Sequence, residues 1–101
     1  LVQGAGAGFN VNSITTVSAA GTLDSTTFLT VATATIGGGG IVLPASADTG
    51  AVKIIMTTTD DDVLLKNTNA SLAADLTLTN KGDMAICVWN GSKWIVGRTL
   101  G

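Results

Sequence analysis

The chain lacks several of the side chains on which enzyme active sites are built. Its 101 residues include no histidine, no tyrosine and no glutamate, and only one cysteine, Cys87. General acid–base catalysis would therefore fall to aspartate, and the thiol has no histidine to activate it. One cysteine cannot form an internal disulfide, and zinc sites of cysteine and histidine are excluded. The sequence predicts a protein that is not an enzyme and that uses no cofactor or metal.

Charge is scarce as well. Only 12% of the residues are charged, and the net charge is -2. The five basic residues are scattered and form no stripe that would neutralise phosphates, which argues against nucleic-acid binding. No stretch approaches the ~20 apolar residues of a membrane helix. Because a surface with so little charge is poorly solvated, we expect part of it to be covered by other chains.

What the sequence does contain favours strands and one domain. Threonine is the commonest residue, and valine and isoleucine are plentiful. Branched side chains fit a pleated surface. We expect a single β domain over 11–101, preceded by a glycine-rich arm over 1–10. The arm is either a flexible tail or a segment that orders on a neighbouring subunit through Leu1, Val2 and Phe9.

Short apolar runs separated by turn signals predict an all-β fold, a small antiparallel β-sandwich or a barrel-like module. A helix competes weakly at 71–78, but Leu76 to Thr79 alternates as a strand does. Gly21 to Ser25 is predicted to be a turn, and Gly37 to Gly40 a break. No fixed repeat is visible, so a solenoid is not predicted. The expected strands lie at 11–19, 27–36, 41–43, 51–59, 63–66, 71–78, 84–89 and 93–96.

The last two runs form a hairpin around Asn90-Gly91. A two-residue loop would pair Trp89 with Ser92, whereas a four-residue loop would pair Trp89 with Trp94. Either register leaves both faces of the hairpin apolar, so each face must be covered, by a second sheet or by a neighbouring subunit. One face carries Cys87, Trp89, Trp94 and Val96, and the other carries Ile86, Val88 and Ile95.

Two groups of residues deserve a functional interpretation beside a structural one. Asp60, Asp61 and Asp62 are expected to form a solvated turn, although three carboxylates could bind a hard cation if copies of the chain converged there. Trp89 and Trp94 are expected to anchor the core, although an exposed pair could stack on a sugar.

The second half of the chain resembles a β-rich module of tailed-bacteriophage virion proteins, among them tail fibres, head fibres and small capsid decoration proteins. The resemblance covers 41–97 and is carried by a strand-and-turn pattern: Ile41-Val42-Leu43-Pro44, then Val52-Lys53-Ile54-Ile55, then Lys81-Gly82-Asp83, then Val88-Trp89-Asn90-Gly91 with Trp94-Ile95-Val96. The run Asp60 to Asp62 departs from related modules, which more often have Gly, Asn or Ser there.

The resemblance implies a structural role in a virion and no catalytic residues. Related modules associate as trimers, which agrees with the low charge and the two-faced hairpin. The expected function is that of a capsid decoration (cement) protein on the capsid surface. Its expected partners are its own copies, in a homotrimer, and the major capsid protein or another virion protein. The alternative is the receptor- or glycan-binding tip of a head fibre or tail fibre, which would need Trp89 or Trp94 at the surface.

Overall fold

The computed structural model of the protein describes residues 10–99. The predicted arm contacts Leu1, Val2 and Phe9 lie outside these residues. Between 10 and 99 there is no helix, which confirms the all-β prediction, and hence no helix that could span a membrane. The strands are β1 (Asn10–Val17), β2 (Gly21–Thr22), β3 (Thr27–Ala32), β4 (Ile36–Val42), β5 (Val52–Thr57), β6 (Val63–Leu65), β7 (Leu76–Leu78), β8 (Met84–Trp89) and β9 (Trp94–Thr99).

The strands form two sheets with mixed strand directions. One sheet has five strands in the order β1-β3-β5-β8-β9, and the other has four in the order β2-β4-β6-β7. From β1 to β6 the chain alternates between the sheets, so each strand pairs in parallel with the strand two places later. Among the strands of residues 10–99, antiparallel pairs occur only where β7, β8 and β9 join. The prediction of an antiparallel sandwich is therefore wrong in strand direction, because the chain coils between the sheets before it forms a hairpin.

The turns of this coil differ in length. Ile14 pairs with Leu29, and Leu29 pairs with Ile54, so successive turns in the five-stranded sheet take 15 and 25 residues (14 to 29 and 29 to 54). Five of the ten extra residues lie in β4, which has seven residues where β2 has two, and the other five lie in the loops. A coil with unequal turns leaves no fixed period in the sequence, which is why no repeat was visible.

Two of the predicted interruptions are misplaced. The glycine run does not break the chain but lies inside β4, and the gap between β3 and β4 falls at 33–35 instead. Gly38 and Gly40 have φ angles of 59° and 66°, within a stretch where the register with β6 shifts. A Cβ atom at Gly40 would lie 2.9 Å from the carbonyl oxygen of Leu64. Glycine therefore lets β4 approach β6 closely. The other misplaced interruption is the predicted turn at Gly21, which begins β2.

The hydrophobic core lies between the sheets and draws on both. Trp94 is fully buried, and its Nε1 donates a hydrogen bond to the carbonyl oxygen of Pro44 at 2.9 Å. This bond ties the hairpin to the loop that follows β4. The largest apolar contributions come from Ile36, Ile41, Leu43, Ile55, Val63, Leu65, Leu78, Trp89 and Trp94.

Candidate interaction surface

The hairpin loop decides which side chains face the core. Trp89 pairs with Trp94, so the loop has four residues, as in the second of the two predicted registers. Asn90 closes it: its backbone N–H donates to the carbonyl oxygen of Lys93 at 3.0 Å, and its Oδ1 accepts from the backbone of Ser92 and of Lys93. Gly91 has a φ of 105°, which favours glycine. The pairing of the two tryptophans sets the facing of every other residue in the hairpin.

The tryptophans lie on the inner face of the five-stranded sheet. Trp94 is fully buried and Trp89 is 5% exposed, and their rings make an edge-to-face contact with centroids 5.5 Å apart. Cys87 is buried beside them, and burial raises the pKa of its thiol to about 12, so the thiol stays protonated at neutral pH. The alternative prediction of an exposed sugar-binding surface at Trp89 and Trp94 is therefore corrected: both side chains belong to the core.

The opposite side of the same sheet is covered by no other element of the described chain. We call it the outer face and define it by three rows of side chains that run across the strands. The strand register places Ile14, Leu29, Ile54, Ile86 and Gly97 in the middle row, Val52, Val88 and Ile95 in one flanking row, and Thr16, Val31, Met56, Met84 and Thr99 in the other.

The outer face is apolar and uncharged. None of its thirteen positions carries an ionisable side chain. Exposure is greatest towards the two edges of the sheet, where Ile14 is 62% exposed in β1 and Ile95 is 45% exposed in β9. Ile86 and Val88 of β8 are each 37% exposed, and the apolar side chains of β3 and β5 are half-buried by their neighbours. The apolar area is thus continuous from one edge of the sheet to the other.

The size of the outer face indicates an interaction surface. Thirteen positions, about 4.8 Å apart across the strands and about 6.7 Å apart along them, give a planar footprint on the order of 400 Å². The largest apolar patch of a typical monomer measures about 300–600 Å² and is often functional. An uncharged apolar patch of this size suits contact with another apolar surface, and it offers no group for acid–base or nucleophilic chemistry.

The outer face is uncharged because the lysine of β5 points to the inner face of the sheet. Lys53 lies in the middle of β5, in phase with Ile55, and is fully buried. Its Nζ donates to the carbonyl oxygen of Thr27 at 2.5 Å and lies 3.8 Å from Oδ1 of Asp24. Burial lowers the pKa of Lys53, and the charge of Asp24 partly opposes that shift. A strand was predicted at 51–59, but the burial of its lysine was not.

Asp24 is held in place by several donors. Partial burial acts to raise the pKa of Asp24. Hydrogen bonds from the hydroxyl and backbone of Thr27 and from the backbone of Thr26, together with the charge of Lys53, outweigh this effect. The pKa is lowered to about 2. The bonds from the two Thr27 donors measure 2.6 and 2.7 Å. Asp24 is therefore a carboxylate at neutral pH and stabilises both the β2–β3 connection and the buried ammonium group. The only sign in the sequence was its position in a turn.

The aspartate run forms an exposed turn. Oδ1 of Asp60 accepts a hydrogen bond from the backbone of Lys81 at 3.0 Å, and Oδ2 of Asp61 accepts one from the hydroxyl of Thr59 at 3.0 Å. Within 10–99 no group of three or more potential metal ligands occurs. Asp60 thus links the loop between β5 and β6 to the loop between β7 and β8, Asp61 bonds within its own loop, and the carbonyl oxygen of Asp62 accepts from the backbone N–H of Ile36 in β4.

Comparison with known proteins gives information on the fold and not on the function. No established protein family matches the sequence, and no curated protein matches it. A solved structure described as "Structure of a chaperone-substrate complex" is similar, with a TM-score of 0.61 and 16% sequence identity. The similarity covers 84% of this chain but only 16% of the other chain. This chain therefore aligns with a small part of that solved structure.

Proposed function

We propose that the chain is a virion structural protein, most specifically a capsid decoration (cement) protein that acts as a homotrimer on the surface of a phage head. The observation that carries the proposal is the outer face, which is uncharged and apolar across all five strands. A surface of this kind suits a permanent contact between proteins, because obligate interfaces are the more apolar ones. The resemblance of 41–97 to phage virion modules supports the same role.

The mechanism of a cement protein is the area that it buries. Each copy would bridge neighbouring shell subunits, and each standard contact buries about 800 Å² on each partner. In this proposal the arm, with Leu1, Val2 and Phe9, attaches the trimer to the shell, and the major capsid protein or another virion protein is the partner.

The alternative of a receptor- or glycan-binding tip has less support. That function needs an exposed aromatic platform, whereas Trp89 and Trp94 are buried in the core. The remaining aromatic side chain of the described residues, Phe28, is half-buried in β3.

The proposal is tested with phage heads assembled without this protein. Purified chain is added and the bound amount is measured after sedimentation, together with the temperature at which the heads release DNA. We expect saturable binding in multiples of three copies and a higher release temperature. Heads that bind none of the wild-type chain would refute the decoration role.

A matched variant tests the attachment. A chain that lacks residues 1–10 should remain a trimer. It should bind heads at least ~30-fold more weakly, because the contacts between the arm and the shell are lost. Equal binding by the shortened chain would assign attachment to another part of the protein.

A further inference from the structure

We infer that the outer face is the surface through which copies of this chain bind one another, with the outer-face side chains of β1 in one copy against those of β9 in the next. The inference takes the trimer from the proposed function. It adds which surface of each copy forms the contact between copies. The occupant to which we commit is a second copy of the chain, rather than the capsid or another partner.

Charge favours a second copy as the occupant. Each copy carries a net charge of -2, with its acidic residues outside the outer face. Two copies that meet through this face bury no ionised group, so they avoid the desolvation cost that opposes most contacts of a charged surface. The lysine of the central strand, Lys53, points to the other side of the sheet.

Shape favours it too. Sheets pack face to face about 10 Å apart, so one pleated apolar sheet is a suitable partner for another. In a ring the footprint on the order of 400 Å² is divided between two neighbours, so the outer face supplies about a quarter of a standard contact of about 800 Å² per partner to each of them. Residues around the outer face would supply the rest of each contact.

The distribution of exposure points to a ring rather than to a two-fold pair. A closed ring of three joins different parts of the surface on neighbouring copies, whereas a two-fold dimer joins a patch to itself. The most exposed apolar side chains lie near opposite edges of the sheet, Ile14 in β1 and Ile95 in β9. With β1 of one copy against β9 of the next, each copy uses one half of its outer face for each neighbour. The half-buried strand β5 then lies nearest the three-fold axis.

The test uses the full chain with substitutions on the outer face. Ile86→Lys places a charge in the middle row, and the double variant Ile86→Thr with Ile95→Thr removes apolar area while it keeps branched, strand-forming side chains. Ala45→Lys, at an exposed position in the loop between β4 and β5, is the matched control for added charge. Mass is measured by light scattering over a range of concentrations, and emission from buried Trp89 and Trp94 reports folding.

We expect the wild type and Ala45→Lys to be trimers, and Ile86→Lys to be a folded monomer. The double threonine variant should raise the dissociation constant of the trimer by at least ~30-fold. Folded outer-face variants that remain trimers as stable as the wild type would overturn the inference. Variants with short-wavelength tryptophan emission and monomer mass would support it, even if the Lys variant alone failed to fold.

The outcomes separate this inference from the proposed function. A trimeric wild type that fails to bind heads refutes the decoration role and leaves the interface assignment standing. A trimer that persists in every folded outer-face variant refutes the assignment and leaves the decoration role standing. A monomeric wild type at all concentrations refutes both the trimer and its interface.

Discussion

The two faces of the five-stranded sheet differ in a way that reverses the usual distribution of polar groups. The inner face, which is buried, includes Lys53, Thr30 and Thr57 beside its apolar residues. The outer face, which no other element of the described chain covers, holds ten apolar side chains, two threonines, a glycine and no charge. Folding of one copy therefore depends on the inner face, while the outer face has the composition of an interaction surface.

Adjacent residues of β9 give the sharpest test of this comparison. Trp94→Ala should lower the free energy of unfolding by about 3–5 kcal/mol, because it leaves a large cavity in the core. Ile95→Ala, one residue later on the outer face, should cost less than about 1 kcal/mol in the monomer, since this side chain is already 45% exposed. Urea unfolding of both variants at concentrations where the chain is monomeric measures the difference. Equal costs would contradict the assignment of the two faces.

The buried lysine gives the next largest effect. Lys53→Ala should cost about 2–3 kcal/mol, because it leaves a cavity and removes the donor to the carbonyl oxygen of Thr27. Lys53→Met fills the same space without a charge to desolvate and should recover at least half of that loss. Lys66→Ala is the control: this half-exposed lysine pairs with Asp75 at 2.9 Å and should contribute less than about 1 kcal/mol. A loss on Lys53→Ala no larger than the control would mean that the inner-face lysine is dispensable.

The pH dependence of stability tests the partner of that lysine. Asp24 has a folded pKa of about 2, below its ordinary value of 3.8, so the folded state binds fewer protons than the unfolded state in this window. The contribution of the Asp24 carboxylate to the free energy of unfolding is complete above about pH 4 and is lost as the pH falls through about 2. We expect Asp24→Asn to flatten the loss of stability between these values, measured by urea unfolding across the acid range. An acid limb identical to that of the wild type would show that Asp24 does not stabilise the fold through its charge.

The smallest effect concerns a hydroxyl on the inner face. Oγ1 of Thr30 is buried and has no hydrogen-bond partner among the described residues. Thr30→Val keeps the shape of the side chain and removes the unsatisfied group, so it should raise the free energy of unfolding by about 1 kcal/mol. A variant less stable than the wild type would indicate that the hydroxyl has a partner, such as a buried water.

The strand pattern could be read from the sequence where side chains alternate clearly. β8 was predicted with the bounds that it has, and β5 lies within the strand predicted at 51–59. Local alternation carries this information, because successive side chains in a strand point to opposite faces. The same information does not say which phase is buried.

Which face lies inside depends on the second sheet, and the pairing of distant strands is not encoded in local alternation. Hydropathy alone would place Lys53 outside and Ile54 inside, yet the lysine reaches the carbonyl oxygen of Thr27, 26 residues earlier in the chain. Parallel pairing was missed for a related reason: its partners are joined through a strand of the other sheet rather than through a short turn. The outer face could therefore be recognised only once the register was known.

The unequal turns of the coil also make the chain a suitable carrier of foreign sequence. Since the loops of successive turns already differ in length, residues can be added to a loop while the strand register stays as it is. The loop between β4 and β5 is held at its start by hydrogen bonds to Leu43 and Pro44, and it is mostly exposed from Ala45 to Gly50. A peptide inserted there would be displayed at the end of the strands. On a three-fold assembly it would appear as a cluster of three copies, a multivalent display site.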